Sequence, residues 1–192
     1  MSRASLLLAL LDLGFVALLP WIFFRRDGKK NARWFATAAP YMLGIVLVSF
    51  ALAGRLEGWK PAREAVAIAM EVLSVPLCAG SIALMAFTLG THRIPIALWH
   101  QDNDAPRHIV TWGAYSRVRH PFYASFLLCL LGTVLALPHV LTALALVYAL
   151  VALNLTAARE ERRLAASEFG EEYRKYMART GRFWPRFGVS AS

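Results

Sequence analysis

Residues 121–158 read PFYASFLLCLLGTVLALPHVLTALALVYALVALNLTAA, without one Lys, Arg, Asp or Glu. The run is interrupted only by Leu137-Pro138-His139, which reads as a tight turn between two helices. A helix crosses about 30 Å of hydrocarbon with about 17–25 apolar residues. Residues 122–137 and 139–158 therefore read as a hairpin of two membrane helices, the first the shorter. Working outward, residues 4–24, 34–53 and 65–89 form three further apolar blocks of spanning length. The first is too long for a signal-peptide core and has no small-residue cleavage site ahead of Arg25, so it reads as a retained helix. The fold expected is an all-α integral membrane protein with about five transmembrane helices, a tight hairpin of spans four and five, and cytosolic C-terminal helices.

Composition agrees. Of 192 residues, 58% are hydrophobic and 17% charged, against about 45–50% and about 25% in ordinary soluble domains. That balance excludes a disordered or acidic chain and argues against a cytosolic globule. The excess of 21 Lys and Arg over 12 Asp and Glu gives a net charge of +9. Nucleic-acid binders spread such charge over a solvated surface, whereas here it lies between apolar blocks. The expected partner is the lipid bilayer and not a nucleic acid. Cys78 and Cys129 both fall inside apolar blocks, so neither a disulfide framework nor a metal site is expected. The C-terminal residues 188–192 carry no prenylation box.

Orientation follows from Lys and Arg near the span ends. With the N-terminus outside, segments 25–33, 90–121 and 159–192 lie inside and hold 17 of the 21 basic residues. Only Arg3, Arg55, Lys60 and Arg63 are left outside. The expected topology is N-out, C-in; in a prokaryote this would be the inner membrane. Two segments do not span, and both fall on the inner side. One is the loop from Gly90 to His120, long enough to be suspected of function. The other runs from Arg159 to Arg186. Its periodicity sets Arg162, Ala166, Phe169, Tyr173 and Tyr176 on one helical face, unless Gly170 divides it.

Asp12, Glu71 and Asn154 are polar outliers within the spans, where ionisable groups cost a few kcal/mol. A helix–helix hydrogen bond accounts for Asp12 and Asn154, and closeness to the outer interface accounts for Glu71. Pro76 reads as a kink. Arg117, Arg119 and His120 stand at the inner mouth of span four, where Pro121 opens the helix and long basic side chains snorkel. Glu160 and Glu161 interrupt a basic cluster at the membrane surface. Acids there do nothing for orientation, which points to a specific partner.

The loop, the mouth of span four and the C-terminal stretch thus converge on one compartment. A site between them borders lipid on one side and water on the other, so a lipophilic substrate enters laterally and a polar cofactor arrives from the cytosol. Trp99, Trp112, Tyr115, Tyr123 and Tyr176 are available there to stack a base or hold an onium group, each contact worth about 0.5–2 kcal/mol. An interfacial aromatic belt would use the same residues.

Residues 113–123, GAYSRVRHPFY, resemble the G-x-Y-x-x-x-R-H-P-x-Y motif of the isoprenylcysteine carboxyl methyltransferase family. A second motif follows one helical hairpin later, as Glu160-Glu161-x-x-Leu164, then Phe169-Gly170-Glu171-Glu172-Tyr173-x-x-Tyr176, ending near Arg182 to Pro185. The resemblance covers roughly residues 90–187. It implies two parts, three transmembrane helices in 1–89 and a methyltransferase core in 90–192. It also implies S-adenosyl-L-methionine as cofactor and a lipophilic acceptor. Carried over by position, it implies cofactor contacts from Tyr115, His120, Pro121, Phe122, Tyr123 and Glu161, and from Arg107, His108, Ile109 and Val110. A further polar contact falls on His100 or Gln101. His120 and Arg159 are the candidate catalytic residues. The prenylcysteine branch carries a substrate-binding Arg four residues before the cofactor-binding Glu, and here that position is Ala157. Arg159 is the nearest replacement, about 200° round the helix from Ala157. This departure weakens a prenylcysteine carboxylate as substrate and leaves the cofactor inference intact.

A carboxylate or thiolate acceptor needs no base, whereas an amine or hydroxyl must lose a proton, to His120 or Glu161. The rival expectations are a phospholipid or small-molecule N- or S-methyltransferase on the same scaffold, a reductase using NADPH, and a non-enzymatic membrane scaffold or transporter subunit.

Overall fold

A computed structural model describes residues 2–23, 32–91 and 109–186 of the chain. Among them are six α-helices: α1 (Arg3–Phe23), α2 (Ala32–Leu52), α3 (Glu64–Thr91), α4 (Pro121–Ala136), α5 (Val140–Ala165) and α6 (Gly170–Arg179). A single 3-10 turn at Gly113–Ser116 precedes α4, and the described residues include no β-strand. The first five helices follow the apolar blocks to within a few residues, except that α5 runs two turns beyond its apolar stretch.

On α3 and α5 burial is inverted relative to a water-soluble bundle. The buried stripe of α3 is Ser74, Cys78, Ser81, Met85 and Thr88, mostly small side chains spaced by three and four. That of α5 is Thr142, Ala145, Ala149, Leu153, Ala157 and Glu161. The large apolar residues point outward, among them Val72, Leu73 and Phe87 of α3 and Leu144, Val147, Val151 and Leu155 of α5. Small residues inside and large apolar ones outside is how helices associate in lipid, where close backbone approach replaces the hydrophobic drive. Among the described residues, α3 and α5 are long and apolar enough to cross a membrane, and the shorter apolar stretches are Thr37–Leu52 and Pro121–Ala136.

Helix α4 is the centre. It is buried almost all round and packs on α3 above all, then on α1 and α5. Gly132 allows the α3 contact, since a Cβ there would lie 2.6 Å from the Cys78 sulfur. A polar tie adds to it. The Ser81 hydroxyl of α3 lies 2.9 Å from Oδ1 of Asp12 on α1 and 2.9 Å from the Ser125 carbonyl oxygen on α4. Asp12, fully buried, is thus joined to another helix, as a helix–helix hydrogen bond requires. Ser81→Ala deprives that buried carboxyl of a donor and is expected to cost about 1–3 kcal/mol, read as a lower melting temperature in detergent.

The α4–α5 turn is capped from both sides. The Leu141 amide donates to His139 Nδ1 and the His139 amide to Thr142 Oγ1, while Thr142 sits 2.9 Å from the Leu137 carbonyl oxygen. Polar groups freed by Pro138 are thereby satisfied at the helix end. The single-face pattern expected for 162–176 does not hold, because α5 stops at Ala165 and α6 starts at Gly170. The division falls at Gly170, as the sequence allowed: a Cβ there would lie 2.5 Å from the Ala165 carbonyl oxygen, and the Ser167 hydroxyl donates to the Leu164 carbonyl and accepts from the Phe169 amide, at 2.7 and 3.3 Å. Such local bonding competes with helix continuation.

Candidate functional site

The segment before α4 and the segment after α6 run side by side. Val118 and Gly181 form a parallel bridge, the Arg119 amide donates to the Gly181 carbonyl at 2.8 Å, and the His120 amide to the Arg182 carbonyl at 3.0 Å. This pairing turns Arg119 inward, where snorkelling would have sent it to water. Tyr176 of α6 fastens the other edge through its hydroxyl, which donates to the Tyr115 carbonyl at 2.6 Å. The site is therefore built from the α4 mouth, the last turns of α5 and the segment after α6.

Glu161 is its hub. Arg119 Nε donates to Glu161 Oε1 at 2.8 Å, and Arg182 Nε lies 3.1 and 3.2 Å from the two carboxylate oxygens. Arg182 also reaches Asn154 Oδ1 at 2.6 Å, which gives the second polar outlier its partner. Arg119 further donates to the carbonyls of Met177 and Thr180. The side chains of Glu161 and Arg119 are only 8% and 11% exposed. Both glutamates lie past residue 158, where the apolar stretch of α5 ends. Burial alone would raise the Glu161 carboxyl, but His120, Arg182 and Arg119 reverse this and hold it well below the usual carboxylate range. In return the bond to Glu161 pushes Arg182 up.

Glu160 has a different environment. Tyr123 donates its hydroxyl to Glu160 Oε1 at 2.8 Å, and His120 Nδ1 lies 3.5 Å from Oε2. The Glu160 side chain is 26% exposed. Burial raises its pKa, which the Tyr123 bond only partly offsets. His120 stands between the two acids, its Nε2 3.3 Å from Glu161 Oε1, and its ring stacks parallel on Tyr123 with centroids 5.2 Å apart. Phe183 packs edge-on against both rings at 6.2 and 6.4 Å.

Phe183 also lines an apolar groove of about 320 Å³ with Leu84, Phe87, Arg117, Leu128 and Trp184. One aromatic ring is thus common to a charged cluster and an apolar groove. Such a pairing can hold a polar reactant beside a lipophilic one.

Of the residues singled out by sequence, His120, Pro121, Tyr123 and Glu161 meet here. Phe122 is buried in the core. Tyr115 is tied to Tyr176, and burial raises its phenol. Ile109 and Val110 are half-buried. Arg159 is exposed on α5 and pairs with no acid in the cluster, while Ala157 is fully buried. His100, Gln101, Arg107 and His108 lie outside the described residues. The sequence singled out Glu160, Arg119 and Arg182 by position but gave them no role in the site, and it did not mark Phe183. The signal for the arginines was available, because an acid buried at a helix surface requires cations.

The fold and the inverted burial define a helical membrane protein with a charged site at one end. Residues 96–166, a segment that includes α4, α5 and both glutamates, match the isoprenylcysteine carboxyl methyltransferase (ICMT) family, a family of methyltransferases. No curated protein and no solved structure matches the chain.

Proposed function

We propose that the protein is an S-adenosyl-L-methionine-dependent methyltransferase of the membrane that acts on a lipophilic acceptor at the cytosolic face. The observation that carries this reading is Phe183, shared by the His120–Tyr123–glutamate cluster and the apolar groove. On this reading α1 to α5 cross the bilayer with the N-terminus outside, which puts 17 of the 21 basic residues on the site's side.

The residues present fit the cofactor. Its hydroxyls and ammonium need carboxylate acceptors, and its onium centre favours an aromatic face. Glu161, the carboxylate that the resemblance assigns to the cofactor, lies 3.3 Å from His120 Nε2, beside the stacked His120 and Tyr123 rings. Bound S-adenosyl-L-methionine supplies an electrophilic methyl group. The chain's own work is then to bind, orient and exclude water. Glu161 fixes Arg119, Arg182 and His120 relative to each other. Phe183 walls the reacting centre from the bilayer, and the groove takes the acceptor's apolar chain. Arg107, His108, Ile109, Val110 and either His100 or Gln101 complete the cofactor's surroundings in this proposal.

Melting the detergent-purified protein with S-adenosyl-L-methionine and with NADPH tests the reading. At about 100 times Kd a ligand stabilises by about 2.7 kcal/mol, so a clear upward shift is expected with S-adenosyl-L-methionine alone. A shift with NADPH alone would assign a reductase, and no shift with either would favour a scaffold or transporter subunit.

A further inference from the structure

We propose that the methyl acceptor is an amphiphile with an amine head, and that Glu160 seats its ammonium and takes its proton. The inference rests on the methyltransferase reading above and adds the acceptor's chemical class.

Two adjacent glutamates on one helix have been given opposite tasks. Glu161 has Arg119 and Arg182 on its oxygens. Both guanidinium groups at the centre of the site are thereby already committed to an acid of the protein. An acceptor carboxylate placed at that centre would find, among the described residues, only arginines already bonded to Glu161, and position 157 on the same helix is a buried alanine. Glu160 has no Lys or Arg within ion-pair distance among the described residues; its contacts are the Tyr123 hydroxyl and the His120 ring. Tyr115 from the 3-10 turn, Tyr173 from α6, and Arg163 and Glu161 from its own helix act on it at longer range.

A partly exposed carboxylate beside two stacked rings suits an ammonium, which gains from the charge and from the aromatic faces. A second carboxylate at that place would meet like charge. The lipophilic part of the acceptor lies in the groove that Phe183 lines.

An ammonium has no free electron pair, so a base must act before transfer. The ammonium gives one N–H proton to a Glu160 carboxylate oxygen. The freed nitrogen pair forms the new N–C bond as the C–S bond of the sulfonium donor breaks, and that bond's electron pair stays on sulfur. The products are a thioether and a methylated ammonium, and the proton on Glu160 passes to water. His120 and Tyr123 hold the carboxylate in place.

The test uses the full chain in phosphatidylcholine nanodiscs with methyl-labelled S-adenosyl-L-methionine. The acceptors offered are a long-chain alkylamine, an aminophospholipid and S-farnesylcysteine. Label in a base-stable N-methyl product is expected, and comparison of the first two acceptors tells a free amine from a lipid headgroup. Label in a base-labile methyl ester of S-farnesylcysteine would overturn the amine assignment while leaving the methyltransferase reading standing. If S-adenosyl-L-methionine fails to bind at all, that reading itself falls.

Calorimetry of the alkylamine with the S-adenosylhomocysteine-loaded protein gives a readout independent of turnover. Glu160→Gln should weaken amine binding tenfold or more and change S-adenosylhomocysteine affinity less than threefold. Glu160→Asp should restore part of the amine binding. Equal losses for both ligands, with an unchanged melting temperature, would show that Glu160 serves the cofactor and would overturn its role towards the acceptor.

Discussion

Glu161→Ala is expected to destabilise the protein more than any other single change at the site, by about 3–5 kcal/mol, the range for removing one partner of a buried ion pair. Arg119, 11% exposed, would be left facing Arg182 with no anion between them, and the mutual repulsion adds to the lost hydrogen bonds. Glu161→Gln keeps one acceptor oxygen and should lose less. The two arginines come from the segment before α4 and the segment after α6, so their release should also loosen the parallel pairing of 118–120 with 181–182. Melting the wild type and both variants in detergent measures the effect. Because the folded-state carboxyl is held low, its contribution is complete above the unfolded value of about 4.3 and fades as pH falls towards the folded value. Wild-type and variant melting temperatures are therefore expected to stay apart from pH 5 to 8 and to begin converging below about pH 4. A Glu161→Ala protein as stable as the wild type at pH 7 would show the hub to be dispensable.

The apolar helices were legible because their signal is local. An apolar run needs no knowledge of its neighbours, and α1 to α5 begin and end within a few residues of the blocks, apart from the charged extension of α5. The tight turn at Pro138 was legible for the same reason. What joins the helices was not. Asp12 meets Ser81 across 69 residues, and nothing in either local sequence selects that partner. In the C-terminal stretch the helical periodicity and Gly170 pointed to different outcomes, and the division at Gly170 prevails, with the Ser167 hydroxyl bonding across the break. At the site, the resemblance located His120, Tyr123 and Glu161. It could not show that Arg119 turns inward, because that follows from backbone pairing with residues 62 to 64 positions later. Nor did it separate Glu160 from Glu161, since adjacent identical residues acquire different chemistry only from what packs against each.

Gly181→Ala is expected to disable the site without touching a single charged or aromatic residue. A Cβ at this position would lie 1.6 Å from the Trp184 carbonyl oxygen and 2.9 Å from its carbonyl carbon. The obstacle is backbone, so no rotamer change relieves it and the 181–184 segment must move. That segment carries Arg182, which grips Glu161 and Asn154, and Phe183, which is common to the His120–Tyr123 stack and the apolar groove. Moving it by the ångström or more that the clash demands breaks the Val118–Gly181 bridge and both backbone bonds beside it. Over-packing of this kind typically costs about 1–3 kcal/mol, but the functional loss should exceed what that figure suggests. A displacement of about 1 Å can cost about 100-fold in rate when orientation carries the catalysis. The variant should still fold, since α1 to α5 pack without the segment, and it should bind S-adenosyl-L-methionine at least tenfold more weakly. Calorimetry together with thermal melting separates the two effects. A variant with lowered stability and unchanged cofactor affinity would mean that the segment after α6 props the bundle but takes no part in shaping the site.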